Sequence, residues 1–289
     1  MARQLILTTL DWIFEAGAVD EADLASVRSQ IDKLRRRSTA VVGFSRRSRA
    51  ELSSLLNKIG PLDGIVVENG SAIAVPASGS LLETPPGELD GDCYIFDLGC
   101  PYVQARAGLR VLANLVSHPL KGFGDFTVQQ LERSLQVSES AAHQAKAKEY
   151  SEPFMIPKAV EAQQLQKTAS GMGFKVVWPR EQADERSGRF ALLLGAGASV
   201  KAAAGEVIKA ATSDESIDVL TVSNQTDDLM NWRQAAEEQK VRLSEALIIG
   251  GLEAIASAAQ GLPMSVKSYD GPFLDAWITA AQDWLAGFE

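Results

Sequence analysis

The chain is poor in cysteine and histidine and short of positive charge. Its 289 residues include two cysteines, Cys93 and Cys100, and two histidines, His118 and His143. These are too few and too scattered for a structural zinc site, and the thiols suit unpaired structural cysteines in a reducing compartment. Lysine and arginine total 28 against 37 acidic residues, a net charge of −9. That balance argues against a nucleic-acid or anionic-membrane partner, since either would want a basic surface. No apolar run approaches membrane-spanning length. The N-terminal apolar stretch is short and interrupted by Asp11, so no signal peptide is expected and the protein reads as cytoplasmic. No internal repeat or low-complexity tract is present. What is there is ordinary globular composition, 46% apolar and 22% charged, in a chain long enough for a large core and two domains.

The stretch from Leu5 to Phe14 is nearly unbroken in its hydrophobicity. It reads as a strand buried on both faces, as at the centre of a parallel sheet. Thr8, Thr9 and Asp11 make its carboxyl end polar, which is where open α/β sheets place their ligands. Val19 to Leu34 has helical spacing, with Leu24, Val27, Ile31 and Leu34 on one face, and Arg35-Arg36-Arg37 suits a helix C-terminus. A buried strand from Thr39 to Phe44 ends in Ser45-Arg46-Arg47-Ser48, and a helix follows from Arg49 to Ile59. Gly64 to Glu68 and Ser71 to Val75 read as a hairpin turned at Asn69-Gly70. This alternation marks a doubly wound α/β fold with a parallel sheet.

Proline and glycine crowd residues 76–91, as at a linker or domain edge. Beyond lie a strand from Cys93 to Leu98, a helix from Tyr102 to Val116, and helices opened by Thr127 (with Gln130 completing a capping box) and by Ser138, the latter running to Tyr150. Ala159 to Ser170 reads as a further helix and Phe174 to Trp178 as a strand, together an inserted α+β unit. From Phe190 the doubly wound pattern resumes: a strand to Leu194, a Gly-rich turn at 195–198 and a helix from Val200 to Ala211. Then come a strand from Ile217 to Val222, a helix from Leu229 to Gln239, a strand from Ala246 to Gly250 and a last helix near Phe273 to Leu285 carrying Trp277 and Trp284. The expected organisation is a core domain of residues 1–84 and 190–289 around an insertion of residues 85–189.

Several stretches together resemble the haloacid dehalogenase (HAD) superfamily, and within it the mannosyl-3-phosphoglycerate phosphatase family. The most specific is Gly122-Phe123-Gly124-Asp125-Phe126-Thr127, then Ala142 and Ala145, then Lys148-Glu149-Tyr150-Ser151-Glu152-Pro153-Phe154. It is similar to that family's GFGD turn, helix and E-Y-(D/S)-E-P-F segment. Ser45 to Glu51 resembles S-x-K-T-R-A-E, Val67 to Ile73 resembles V-E-N-G-x-A-I and includes Asn69, and Gly271-Pro272 also fits. The resemblance implies a HAD-like Rossmannoid core made from both chain ends, a cap of the C2B type between them, Mg²⁺ as cofactor and a phosphorylated sugar or glycerate as ligand. By the same resemblance, Ser45, Arg46, Arg47, Asn69, Lys148 and Glu149 would face the substrate.

The departures from the family pattern fall on its chemistry. The family's D-x-D pair aligns with Thr9-Leu10-Asp11, so a threonine stands where the resemblance implies the nucleophile, while Asp11 keeps the acid/base position. The family's G-D-x-x-N-D aligns with Ser223 to Asp228, which turns a metal-binding aspartate into Asn224 and leaves Asp228. Lys201 is the nearest candidate for the lysine of the third motif, although the ungapped register places Val200 there. A threonine hydroxyl is neutral and not nucleophilic without an adjacent base, and Mg²⁺ prefers charged oxygen ligands. The phosphate-holding elements are better kept: a hydroxyl donor at Ser45, a helix N-terminus after it, and arginines that fork onto phosphate oxygens. Both arginines, and likewise Glu149 and Glu152, equally admit a reading as solvated surface charges. The expected function is therefore an impaired HAD-like protein that binds a phosphorylated sugar or glycerate ligand or a partner enzyme. The alternative is an active Mg²⁺-dependent sugar-phosphate phosphatase using Asp11 and Asp228.

Overall fold

The computed structural model of the chain describes residues 4–15, 20–179, 189–211, 217–249, 266–270 and 273–286. Val19, Gly250 and the Gly271-Pro272 pair lie outside the described residues. Contacts divide the chain into two compact units: residues 1–46, 54–96 and 200–289, and residues 47–53 and 97–199. The strands in chain order are β1 (Gln4–Thr9), β2 (Thr39–Phe44), β3 (Gly64–Val67), β4 (Ala72–Pro76), β5 (Glu88–Asp90) and β6 (Cys93–Asp97). They continue with β7 (Ser151–Met155), β8 (Phe174–Val177), β9 (Phe190–Gly195), β10 (Asp218–Ser223), β11 (Arg242–Ile249) and β12 (Val266–Asp270).

The first unit is built on a sheet of order β12-β11-β10-β1-β2-β3-β4-β6-β5. Pairing is parallel from β12 through β3, and β4 returns antiparallel to β3. Every residue of β1 and β2 is buried, the physical reason both read as continuous apolar runs rather than alternating ones. β1, β2 and β3 step to one side while β10, β11 and β12 step to the other, so the strand order reverses between β1 and β10. A switch point of this kind opens a crevice at the carboxyl ends of the strands.

Local chemistry sets the flanking helices. The helix Glu21–Arg36 buries Leu24, Val27, Ile31 and Leu34, and the Asp20 carboxylate accepts the Asp23 amide at 2.8 Å as its N-cap. Arg35 departs from the simple reading as a helix-end charge. Its guanidinium lies 3.2 Å from the Asp63 carboxylate and donates to the carbonyls of Pro61 and Gly79. Asp63, fully buried, also accepts the amides of Val41 at 2.9 Å and Leu81 at 2.8 Å. Burial pushes its carboxyl above the usual range, against the lowering effect of those amides and of Arg35. In the last helix (Phe273–Ala286), Trp277 and Trp284 are buried as expected, and Trp277 donates to the Thr8 hydroxyl at 3.2 Å. The initial strand is shorter than its apolar run. It ends at Thr9, and Trp12–Glu15 turns into a short helix.

The second unit holds an antiparallel sheet of order β7-β9-β8. Phe154, Leu109, Leu112, Leu165 and Leu193 form its main core. Phe123, Phe126 and Phe190 form a second cluster, with the Phe123 and Phe190 rings edge to face at 5.0 Å. Pro153 is tolerated in β7 because that strand lies at the sheet edge. Thr127 and Gln130 make the expected capping box, while the helix opened by Ser138 stops at Lys146 rather than Tyr150.

The boundaries differ from those expected at 84/85 and 189/190. β5 and β6 extend the first unit's sheet, so the proline- and glycine-rich segment is partly strand. β9 pairs with β7 and β8, not with the parallel sheet. An apolar run followed by a Gly-rich turn and a helix looks the same in either sheet, and only its pairing partners tell them apart. The turn after β9 is tightly packed: a Cβ at Gly197 would lie 2.3 Å from the Leu98 carbonyl, and one at Gly195 would lie 2.7 Å from the Cys100 amide. Beneath it Lys175 donates to the Ala198 carbonyl, and burial holds its ammonium below the ordinary lysine value. Among the described residues, no helix is long and apolar enough to cross a membrane.

Candidate functional site

The register brings three strand ends together at the switch point. Thr8 pairs with Val222 across β1 and β10, and Thr9 pairs with Phe44 across β1 and β2. Thr9, Ser45 and Ser223 therefore sit at one edge of the sheet, with Asp11, Asn224 and Asp228 just beyond. Thr9 is 1% exposed, and its hydroxyl oxygen accepts the Asp11 amide at 3.4 Å. Asp11 and Ser45 are both buried, and the Ser45 hydroxyl donates to Asp11 Oδ1 at 2.5 Å. The Arg46 amide also points at the Asp11 carboxylate, 3.3 Å from Oδ1 and 3.2 Å from Oδ2. The Ser45 hydroxyl and the Arg46 main-chain N–H are thus both directed at an acid of the chain itself.

On the β10 side, Ser223 donates to Asp228 Oδ2 at 3.1 Å and accepts the Gln225 amide at 3.0 Å. Asn224 Oδ1 is buried without a hydrogen-bond partner. Asn69 has left-handed backbone, as do Glu68 and Gly70 on either side of it, and its amide donates to the Ser45 carbonyl at 3.1 Å. Asn69 thus braces the loop that carries Ser45 through its main chain.

The donor set can be tested against the magnesium that the resemblance implies. Among the described residues, no three His, Cys, Asp or Glu side chains gather as a metal-binding group. The oxygens at this edge are a neutral hydroxyl at Thr9, a neutral amide oxygen at Asn224, the Asp228 carboxylate, and an Asp11 carboxylate already bonded to Ser45 and Arg46. A small, reluctantly dehydrated cation wants charged oxygens in near-octahedral array. This set does not fit it.

The other predicted residues are distributed differently. Lys201 lies in the helix Val200–Ala211, and its ammonium is 2.8 Å from Glu238, with both side chains substantially exposed. Such a pair contributes little. Lys201→Ala is expected to change stability by less than ~0.5 kcal/mol and to leave phosphate affinity unaltered, checked by chemical denaturation and calorimetric titration.

In the second unit, Ser48 and Glu51 cap the helix Arg49–Ile59 reciprocally: the Ser48 amide donates to Glu51 at 2.8 Å and the Glu51 amide to the Ser48 hydroxyl at 3.3 Å. The same Glu51 carboxylate takes the ammonium of Lys148, with both side chains buried, and lies 3.4 Å from Arg47. Glu149 is gripped bidentately by Arg49, at 2.5 to 3.1 Å. Lys148 and Glu149, expected to face a substrate, are instead held in ion pairs. Glu152 is fully buried, not a solvated charge. Its Oε1 accepts the Gly124 amide at 2.8 Å and lies 3.7 Å from Arg106. Burial holds its carboxyl above the usual range. Glu51, Arg49 and Arg106 were not singled out from the sequence because their partners Lys148, Glu149 and Glu152 lie 97, 100 and 46 residues away; the local signals available were the capping box at Ser48-x-x-Glu51 and the i,i+4 pair of Arg47 with Glu51.

No protein-family model matches the chain. It is 25% identical over 179 residues to the glucosyl-3-phosphoglycerate/mannosyl-3-phosphoglycerate phosphatase of Persephonella marina, covering 62% of each chain. It is 28% identical over 146 residues to the mannosyl-3-phosphoglycerate phosphatase of Pyrococcus furiosus, covering 50% of this chain and 58% of that one. The chain thus matches less than two thirds of the length of these relatives. A solved phosphatase of the HAD superfamily from Bacteroides thetaiotaomicron aligns over 98% of this chain and 95% of its own, with a TM-score of 0.59 at 14% identity.

Proposed function

We propose that this protein, which has the haloacid dehalogenase fold and resembles mannosyl-3-phosphoglycerate phosphatases, is an impaired phosphatase that binds a phosphorylated sugar or glycerate without turning it over efficiently. The observation that carries this reading is Thr9. In-line attack on phosphorus at neutral pH uses an ionised carboxylate or an alcohol with a base beside it. Thr9 offers a neutral hydroxyl that accepts the Asp11 amide, and the nearby Asp11 carboxylate is bonded to Ser45 and Arg46. The neutral Asn224 at the second altered position supports the same reading from the metal side. Binding would rest on the Ser45 hydroxyl and the Arg46 amide, both of which favour an oxyanion without metal.

The test is a thermal-shift series with mannosyl-3-phosphoglycerate in Mg²⁺ and in EDTA. A ligand at ~100 times its dissociation constant stabilises by ~2.7 kcal/mol, and the shift is expected to be the same in both buffers. A shift that requires Mg²⁺, accompanied by release of phosphate that Asp11→Asn abolishes, would instead establish an active magnesium phosphatase.

A further inference from the structure

We propose that Asp11 is an internal stand-in for the phosphoryl group: its carboxylate occupies the oxyanion cradle of Ser45 and Arg46, so that an outside anion binds only by displacing it. The proposal rests on the reading of this edge as a phosphate-holding site and goes further by assigning its control to one side chain. Three observations carry it. The Ser45 hydroxyl, which has a single proton to give, gives it to Asp11 Oδ1 at 2.5 Å. The Arg46 amide is directed at both carboxylate oxygens, at 3.3 and 3.2 Å. All of this occurs where Asp11 and Ser45 are each 5% exposed, so water competes poorly for either donor. A hydroxyl and a main-chain N–H converging on two oxygens of one anion is the pattern by which a protein holds phosphate. Here the chain supplies the anion itself.

The consequence is an exchange equilibrium. An incoming phosphate gains two charge-assisted bonds but ends two of equal kind, and it meets a carboxylate of like charge that must swing aside. Net affinity is then set by how readily Asp11 leaves, and phosphate esters are selected by the binding energy of the rest of the molecule. Bare inorganic phosphate, which has nothing else to offer, should bind feebly to the unaltered chain.

Calorimetric titration of the full chain with inorganic phosphate tests this. Asp11→Ala empties the cradle and is expected to bind phosphate at least ~10-fold more tightly than the unaltered protein, the tenfold corresponding to one recovered charge-assisted bond. Adding Ser45→Ala to Asp11→Ala should remove that gain. This arm separates the cradle from simple loss of a negative charge, whose effect would survive without the Ser45 hydroxyl. Asp11→Asn, which keeps the side chain's shape and one acceptor oxygen, guards against misfolding of the alanine variant and should gain by a smaller factor, about threefold. No gain in either variant, or a gain that persists when Ser45 is also alanine, would overturn the proposal. Because the probe is inorganic phosphate, this outcome is read independently of whether the unaltered protein recognises a glycosyl phosphoglycerate.

Discussion

Thr9→Asp combined with Asn224→Asp is expected to raise Mg²⁺-dependent phosphate release from mannosyl-3-phosphoglycerate by at least ~10⁴-fold over the unaltered protein, the scale on which a lost nucleophile is felt. The two substitutions act on different deficits. A carboxylate at position 9 supplies an ionised group at the end of β1, in a position that is 1% exposed. A carboxylate at position 224 replaces a buried amide oxygen that has no hydrogen-bond partner, and together they give a hard cation two charged oxygens it now lacks. Neither change alone is expected to reach the double variant, since nucleophile and metal work as a unit and their effects are not additive. Single-turnover release of phosphate, with and without EDTA, checks this. The reading would fail if the unaltered protein already turned over within tenfold of the double variant, or if a phospho-adduct were trapped on any of its own side chains.

The second large effect concerns the fold. Asp63→Ala is expected to destabilise the protein by about 3–5 kcal/mol, because it strands a partly buried arginine together with one buried and one part-buried amide. Arg35 would lose the carboxylate 3.2 Å away, and the Val41 and Leu81 amides would lose their acceptors. Asp63→Asn keeps an acceptor oxygen and should fall between. The pH dependence has a definite sign. Burial raises the Asp63 carboxyl in the folded chain, so the native state binds this proton more readily than the unfolded one. The residue's own titration therefore favours the fold below the unfolded carboxylate value, and this contribution fades as pH rises through the folded value. Measured by urea denaturation, the margin of the unaltered protein over Asp63→Asn should widen on acidification from neutral pH. A margin that narrows would mean that Arg35 and the amides outweigh burial.

What the sequence disclosed and what it hid follow from the reach of each interaction. β1 and β2 were legible because strands covered on both faces keep their centres apolar, Leu5-Ile6-Leu7 and Ala40-Val41-Val42, with buried polar residues confined to the strand ends. The polar ends of those runs located the site edge for the same reason. β9 was assigned to the wrong sheet, since its partners Ser151–Met155 and Phe174–Val177 are set by tertiary pairing and leave no trace in its own residues. β7 was missed because Pro153 argues against a strand, and only an edge position excuses it. The Asp11–Ser45 bond joins residues 34 apart and the Lys148–Glu51 pair residues 97 apart. In both cases the groups expected to hold a ligand are held by the chain, an outcome that neither spacing nor residue type announces.

The tight turn after β9 has a consequence for how the polypeptide is assembled. At Gly197 and Gly195 no side chain could be accommodated against the main chain at Leu98 and Cys100, so the two places where the backbone enters and leaves residues 97–199 touch each other. A segment whose ends already meet costs little entropy to close. Residues 97–199 in that sense form a closed loop whose ends a short glycine bridge at Leu98 and Gly197 could reseal after excision, with loss of the Lys148–Glu51 and Arg49–Glu149 pairs that tie it to residues 47–53 of the same compact unit.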